Sequence, residues 1–235
     1  MSAERTSFTV AVVNATPASM APATRGLRDG FPEARPWHLL DDRLVTDADA
    51  AGGMTPALRR RMLALIDYAV RGGADAVLLS CSMYGPVVDV ARGLYPVPVT
   101  GSDEAMFGDV AARRPRRVAV LGSLDSAVAD SVRRLEAVLA RTTGPPGAAP
   151  TRVVGVTAAG AADAASAGDH DRLLEALTAA ADAHAGTVDA FVIGQYSLTP
   201  VHSTLAGRLP VPVLSPPLMA ARALRHRLLT PAAAS

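Results

Sequence analysis

The chain has 235 residues, enough for one large domain or two small lobes; 49% are hydrophobic and only 4% aromatic, so its core is built mainly from Val, Leu and Ala. Lys and Arg number 23 against 22 Asp and Glu, and this near balance gives no electrostatic ground for nucleic acid or an acidic membrane as partner. One cysteine cannot form an internal disulfide, no apolar run approaches the ~20 residues that span a bilayer, and the start MSAERTSFTV lacks the basic-then-apolar order of a secretory signal, which together predict a cytoplasmic α/β protein.

Phe8–Val13, FTVAVV, is a short apolar run suited to a buried strand, and it ends in the polar turn Asn14-Ala15-Thr16-Pro17, where a parallel strand opens a site. Asn14-Ala15-Thr16 is formally a glycosylation sequon, a reading with almost no weight in a chain without a secretory signal. Residues 18–33 predict a helix ending near Gly30, and Pro36–Leu40 a second strand followed by Asp41-Asp42. Neighbouring carboxylates on a strand point to opposite faces, so these two predict loop solvation rather than an acid/base pair. Thr55–Arg71 predicts a helix that Thr55 caps and Pro56 opens, with Leu58, Met62, Leu65, Ile66 and Ala69 as its apolar stripe and Gly72-Gly73 as its stop. Ala76–Ser80 reads as a buried strand running straight into Cys81, and a helix starts near Gly85-Pro86. Arg116–Leu121 is another strand, Ser126–Arg141 a helix and Thr142–Pro150 a loop by composition. Arg152–Thr157 is a strand, Ala158–Gly168 a loose Ala/Gly/Asp stretch, Asp169–Ala185 a helix, Val188–Ile193 a strand and Pro217–Leu229 the last helix.

Two stretches repeat one plan. Without a gap, Asp75 falls on Asp189, Ala76 on Ala190, Pro86 on Pro200 and Gly93 on Gly207, and the block Pro96-Val97-Pro98-Val99 falls on Pro210-Val211-Pro212-Val213. Val10-Ala11-Val12 likewise matches Val118-Ala119-Val120. A shared block with flanking identities in one register indicates an internal duplication. Strands alternating with helices predict parallel sheets with right-handed crossovers, in two similar α/β lobes facing each other. The expected division is residues 1–103 with 215–235 as the lobe carrying Cys81, and 104–214 as the lobe carrying Gln195, the residue that aligns with it.

These residues resemble the aspartate/glutamate/hydantoin racemase superfamily, which also contains arylmalonate decarboxylases and maleate cis–trans isomerases. DAVLLSCS with PVPVTGSDEAM is similar to the strand–Cys–helix segment of the first lobe, VVNATPASM to the turn after the first strand, and VAVLGS to the first strand of the second lobe. The resemblance implies pseudo-twofold lobes with the site in the interlobe cleft, and no metal, pyridoxal phosphate or nucleotide. It implies a small carboxylate-containing substrate and two cysteines on opposite faces of its α-carbon. Here Gly194-Gln195-Tyr196 stands where a Gly-Cys-Thr type motif is expected, and Asn14 is followed by Thr16 in place of a second Asn.

Removing a proton next to a carboxylate needs a base at the carbon and donors where negative charge grows. Cys81, at a strand end before a helix, stands where amides and the helix dipole favour the thiolate. Asn14, Thr16, Ser82, Tyr84, Ser123, Gln195 and Ser197 are the expected substrate-binding residues. Tyr196 is a second catalytic candidate, able to act as an acid without a shifted pKa, and His202 another replacement for the missing thiol. One thiol suits one-sided chemistry: decarboxylation with protonation by Cys81, isomerisation through a thiol adduct, or β-elimination.

The bland alternatives are definite. A lone Cys at a buried strand end is by default a small core hydrophobe, Tyr84 and Tyr196 are packing residues, and Gln195 is a substrate hydrogen-bonder or merely a neutral replacement. The five histidines show no metal-ligand spacing, and neither VAVLGS nor VVGVTAAG is a full dinucleotide fingerprint, so no cofactor is expected. The sequence therefore predicts a cofactor-independent isomerase or racemase of this superfamily, with a decarboxylase or lyase as the alternative, a non-catalytic binding protein on the same scaffold as the third reading, and a homo-oligomer left open.

Overall fold

The computed structural model describes residues 6–142 and 149–230. Most of the loop expected over Thr142–Pro150 lies outside the described residues, as do the first five and last five residues. The chain forms two compact units, Met1–Glu104 with Pro217–Ser235, and Ala105–Pro216. The first holds strands β1 (Phe8–Asn14), β2 (Ala34–Leu40), β3 (Ala76–Leu79) and β4 (Val99–Thr100) in the order β2-β1-β3-β4. In the second, β5 (Arg117–Gly122), β6 (Arg152–Thr157), β7 (Ala190–Ile193) and β8 (Val213–Leu214) take the order β6-β5-β7-β8. The ladders of both sheets are parallel.

The duplication is visible in the register. Val10 pairs with Ala76 in one unit, and Val118 pairs with Ala190 in the other. Both central strands are apolar runs buried on both faces, as parallel strands covered by crossover helices must be. The helices are α1 (Met20–Gly30), α2 (Arg43–Ala50), α3 (Pro56–Arg71), α4 (Gly85–Leu94) and α5 (Glu104–Arg113), then α6 (Asp125–Arg141), α7 (Ala161–Ala167), α8 (His170–Asp182), α9 (His202–Arg208) and α10 (Pro216–Leu229). Thr55 caps α3 by accepting from Leu58 N at 3.3 Å, with Pro56 in its first turn. Among the described residues no helix is long and apolar enough to cross a membrane.

Four helices, α2, α5, α7 and α9, were not named from the sequence. Within the Ala158–Gly168 stretch, expected to be loose, Ala161–Ala167 is helical between Gly160 and Gly168, both at positive φ (77° and 69°). Such backbone is open to glycine without strain, so these two residues bracket a helix whose interior offers little but alanine. α2 was missed because only Leu44 and Ala48 bury on it, too few to set a period.

The aligned aspartates share one structural task. Asp75 accepts from Thr9 N through Oδ2 at 2.8 Å while its own N–H donates to Thr9 O at 2.8 Å. Asp189 repeats both bonds on Arg117, each at 2.8 Å. Each carboxylate latches the entry of the third strand to that of the first and satisfies an N–H the ladder leaves open. Asp75→Ala removes that acceptor, and the expected loss is about 1–2 kcal/mol in urea unfolding, with Asp75→Asn losing less because its carbonyl can still accept.

Candidate functional site

In each unit the strand order reverses between the first and third strands, and that switch point is where the carboxyl end of a parallel sheet opens for a ligand. In the first unit it is bounded by Asn14 at the end of β1 and by Ser80-Cys81 after β3. In the second it is bounded by Gly122-Ser123 and Gly194-Gln195.

Polar side chains hold the first unit's strand ends. Asn14 is wholly buried, and its Oδ1 accepts from Ser80 Oγ at 2.9 Å and Ser19 Oγ at 3.1 Å. Its Nδ2 lies 2.8 Å from Val12 O, 3.2 Å from Leu39 O and 3.1 Å from His38 Nδ1. The single hydrogen of Ser19 Oγ is shared between Asn14 Oδ1 and Thr16 O, the latter 2.8 Å away, which folds the turn after β1 back on itself. Asn14, expected to bind substrate, thus spends its amide inside the unit.

Cys81 follows directly. It is half-buried and extended (φ −105°, ψ 118°), and it precedes a single 3-10 turn, Ser82–Tyr84, that runs into α4. One side of it packs on the unit's apolar core, in keeping with the bland reading, but burial is incomplete. Tyr84 is wholly buried, and its hydroxyl donates to Leu44 O at 3.0 Å. Burial, and after it the negative charge of Cys81, pushes the Tyr84 hydroxyl up to about 12, so it stays protonated and bound to Leu44. Thr16 and Ser82 are half-buried, and among the described residues their hydroxyls have no hydrogen-bond partner. They remain available as neutral donors.

Asp41 does more than solvate a loop. Its N–H donates to Asn14 O at 3.1 Å, and its carboxylate pairs with Arg61, which also holds Asp47 at 2.6 Å. Asp42 is exposed at the start of α2 and makes no capping bond. At the start of α5, Glu104 accepts from Arg92 Nη2 through both oxygens (2.7 and 2.6 Å), from Thr100 Oγ1 at 3.1 Å and from Gly101 N at 3.3 Å. The Gly-x-x-Glu segment therefore ties the turn after β4.

The second unit is built differently. Gly122 and Gly194 stand where the first unit has Asn14 and Ser80, so no side chains can link these strand ends. A Cβ on Gly122 would lie 2.5 Å from Val128 Cγ2, so the close seating of α6 forbids one. Gln195 fills the gap: its Oε1 accepts from both Ser123 N, at 2.9 Å, and Ser123 Oγ, at 3.0 Å. This fixes the amide's orientation and leaves Nε2, for which no partner exists among the described residues. Ser123 is consumed in holding Gln195. Tyr196 is buried, Ser197 is half-buried, and His202 Nε2 donates to Val213 O at 2.8 Å. Among the described residues no three His, Cys, Asp or Glu side chains gather as a metal site would require.

Residues 10–141, more than half the chain, match the family model for Asp/Glu/Hydantoin racemase, and the chain belongs to that family. Comparison with curated proteins gives no match. Similar solved structures include allantoin racemase from Klebsiella pneumoniae, at 16% identity and a TM-score of 0.74 over 97% of this chain and 91% of that one. Aspartate racemase from Picrophilus torridus is 12% identical with a TM-score of 0.71, covering 94% of each chain. Glutamate racemase from Francisella tularensis, in complex with D-glutamate, is 12% identical with a TM-score of 0.68, over 94% of this chain and 81% of that one. At these identities the likeness is one of fold: two four-stranded parallel sheets flanked by helices.

The Glu104 cluster yields a pH prediction. Burial alone would raise its carboxyl, but the hydrogen bond and charge of Arg92 and the Gly101 N–H outweigh burial and hold it below 4.5. A depressed carboxyl stabilises the fold above its unfolded pKa, and that contribution is lost as pH falls through the folded value. Arg92→Met is expected to move the midpoint of acid unfolding to higher pH while changing stability at pH 7 only modestly, because the pair is partly solvated; circular dichroism along an acid titration measures both.

Proposed function

We propose that the chain is a cofactor-independent enzyme of racemase or isomerase type, acting next to a carboxylate or carbonyl of a small molecule, with Cys81 as the group that moves the proton. The observation that carries this reading is the seat of Cys81: the second residue past β3, at the switch point, half-buried and next in the chain to Ser80, which bonds Asn14. Membership of the racemase family supports it. Thr16 and Ser82 supply neutral donors for the substrate's carboxylate or carbonyl oxygen, while Asn14 and Tyr84 act from within by holding the strand end and α2 in place.

The thiolate takes the proton from the carbon, and the electron pair moves onto the carboxylate or carbonyl oxygen, where hydrogen-bond donors stabilise it. A proton delivered from solvent to the opposite face of that carbon gives the inverted product, and the thiol then releases its proton to solvent, since return to the same face only regenerates the substrate. A second reading is favoured by a specific feature. Gln195 has no proton to exchange at neutral pH, and its carbonyl is already bound twice by Ser123, so it offers a fixed Nε2 donor and nothing basic. This suits one-sided chemistry: in a decarboxylation the C–C bond breaks, carbon dioxide leaves, and the electron pair left on carbon takes a proton from Cys81. Tyr196, the other catalytic candidate, is buried, which argues for packing rather than proton transfer.

Allantoin, aspartate and glutamate, acted on by the racemases of similar fold, are the first compounds to assay. On any compound that turns over, Cys81→Ala is expected to lower kcat by about 10²–10⁴-fold with the fold intact by circular dichroism; unchanged turnover would end this reading. Tight binding of a compound that stays unchanged would instead favour a binding protein. Gln195→Glu keeps the acceptor for Ser123 but replaces the Nε2 donor with a negatively charged oxygen, and kcat/KM is expected to fall about 10–100-fold. A value within twofold of the parent would leave Gln195 with no part in turnover.

A further inference from the structure

The bonds around Asn14 admit a single orientation of its amide. Val12 O and Leu39 O lie 2.8 and 3.2 Å from Nδ2, and backbone carbonyls can only accept. Turning the amide over would set Oδ1 against both. It would also withdraw the oxygen that receives Ser80 Oγ and Ser19 Oγ. An amide held this way presents a donor to His38 Nδ1 at 3.1 Å, so two hydrogens serve three acceptors and one bond is shared. His38 Nδ1 must then be the bare nitrogen. Nε2 carries the hydrogen and donates it to Thr24 Oγ1 at 2.8 Å. The neutral Nε2–H ring is the one form that satisfies every partner.

We propose that His38 is a positioning residue of the Cys81 site: acting through Asn14 it holds the Ser80 hydroxyl, and with it the end of β3 from which Cys81 emerges. The line of bonds runs from Thr24 on α1, through His38 on β2 and Asn14 on β1, to Ser80 beside Cys81. It joins one helix to three adjacent strands at the edge where the thiol stands. Register makes this possible, since Val12 pairs with His38 and Asn14 with Leu40. The functional meaning of the proposal rests on Cys81 being the reactive thiol; the line of bonds does not.

Protonation breaks the line. A charged ring would set an N–H against the Asn14 N–H, and the two carbonyls prevent the amide from turning to accept it. Burial holds the His38 ring below the ordinary 6.5, so the neutral form persists through neutral pH. The charged residues on the elements packed around it are Arg25, Arg28 and Asp29 on α1, Arg35 on β2 and Asp41 just beyond it; β1 carries none. The ring's hydrogen-bond partners, Asn14 and Thr24, are both neutral.

The test uses the full chain with Cys81 in place. Nitrogen-15 NMR of the histidine rings is expected to find His38 as the Nε2–H tautomer at pH 7.5. His38→Leu removes the acceptor, whereas His38→Asn puts an amide oxygen near the place of Nδ1. Alkylation of Cys81 by iodoacetamide at pH 7.5 is expected to slow by about threefold or more in His38→Leu and to stay within about twofold of the parent in His38→Asn. The difference between parent and Leu variant should close below pH 6.5 as the parent's own ring protonates. A merely structural histidine would give neither the rescue nor the closing difference. An Nδ1–H tautomer, or a Leu variant that alkylates like the parent at pH 7.5, overturns the proposal. Should the Leu variant fail to fold, the tautomer and the Asn variant decide it. Normal turnover in Cys81→Ala would overturn the catalytic reading and leave the His38–Asn14 latch standing.

Discussion

The hydrogen bond from Ser80 Oγ to Asn14 Oδ1, 2.9 Å long and wholly buried, is the constraint on which the site depends. A primary amide in the interior of a parallel sheet is costly unless all its groups are bonded. Satisfying it fixes the ends of β1 and β3 against each other, draws in the turn after β1 through Ser19 and engages the ring on β2. The residue that leaves this arrangement is Cys81. Its backbone is extended and it follows Ser80 directly, so the bonds that seat Ser80 also fix where Cys81 begins.

Duplication supplied the same frame twice, and the two copies diverged at one place. The strand order, the register of the central strands and the aspartate latch agree in both units. At the carboxyl ends they part. One unit keeps side chains that bond to each other and bear a thiol beyond them. The other has glycines at the matching positions and a glutamine folded back onto Ser123. The frame is thus retained where folding requires it and altered where a ligand would be met, as expected when function resides in loops carried on a rigid scaffold. Each unit therefore ends its central strands differently, one with a thiol after Ser80 and the other with an amide fixed on Ser123.

Much of this was legible in the residues. Buried parallel strands announce themselves as continuous apolar runs, and the identity of Asp75 with Asp189 marked the duplication but not the backbone partner each carboxylate holds. Thr55 and Pro56 marked the start of α3 because capping is local. α7 was hidden by its own composition, since alanine gives no contrast between a buried and an exposed face. The positions of Asn14, Cys81, Ser123 and Gln195 at strand ends could be read from the sequence, but their partners could not. Whether Ser123 faces a ligand or Gln195, and whether Asn14 faces a ligand or His38, depends on bond directions that exist only once the strands are in register. A polar residue closing an apolar strand, as Ser80 closes AVLL, was the available signal that its side chain has a buried partner.

The central claim is that the seat of Cys81 makes it a reactive thiol rather than a core residue that happens to carry sulfur. The rate of iodoacetamide labelling of the native protein at pH 7, compared with that of free cysteine under the same conditions, tests this without knowledge of the substrate. The account predicts faster labelling at Cys81, as for a thiol whose thiolate is the working form. Labelling slower than free cysteine, rising only when the protein is unfolded, would contradict it and return Cys81 to the core.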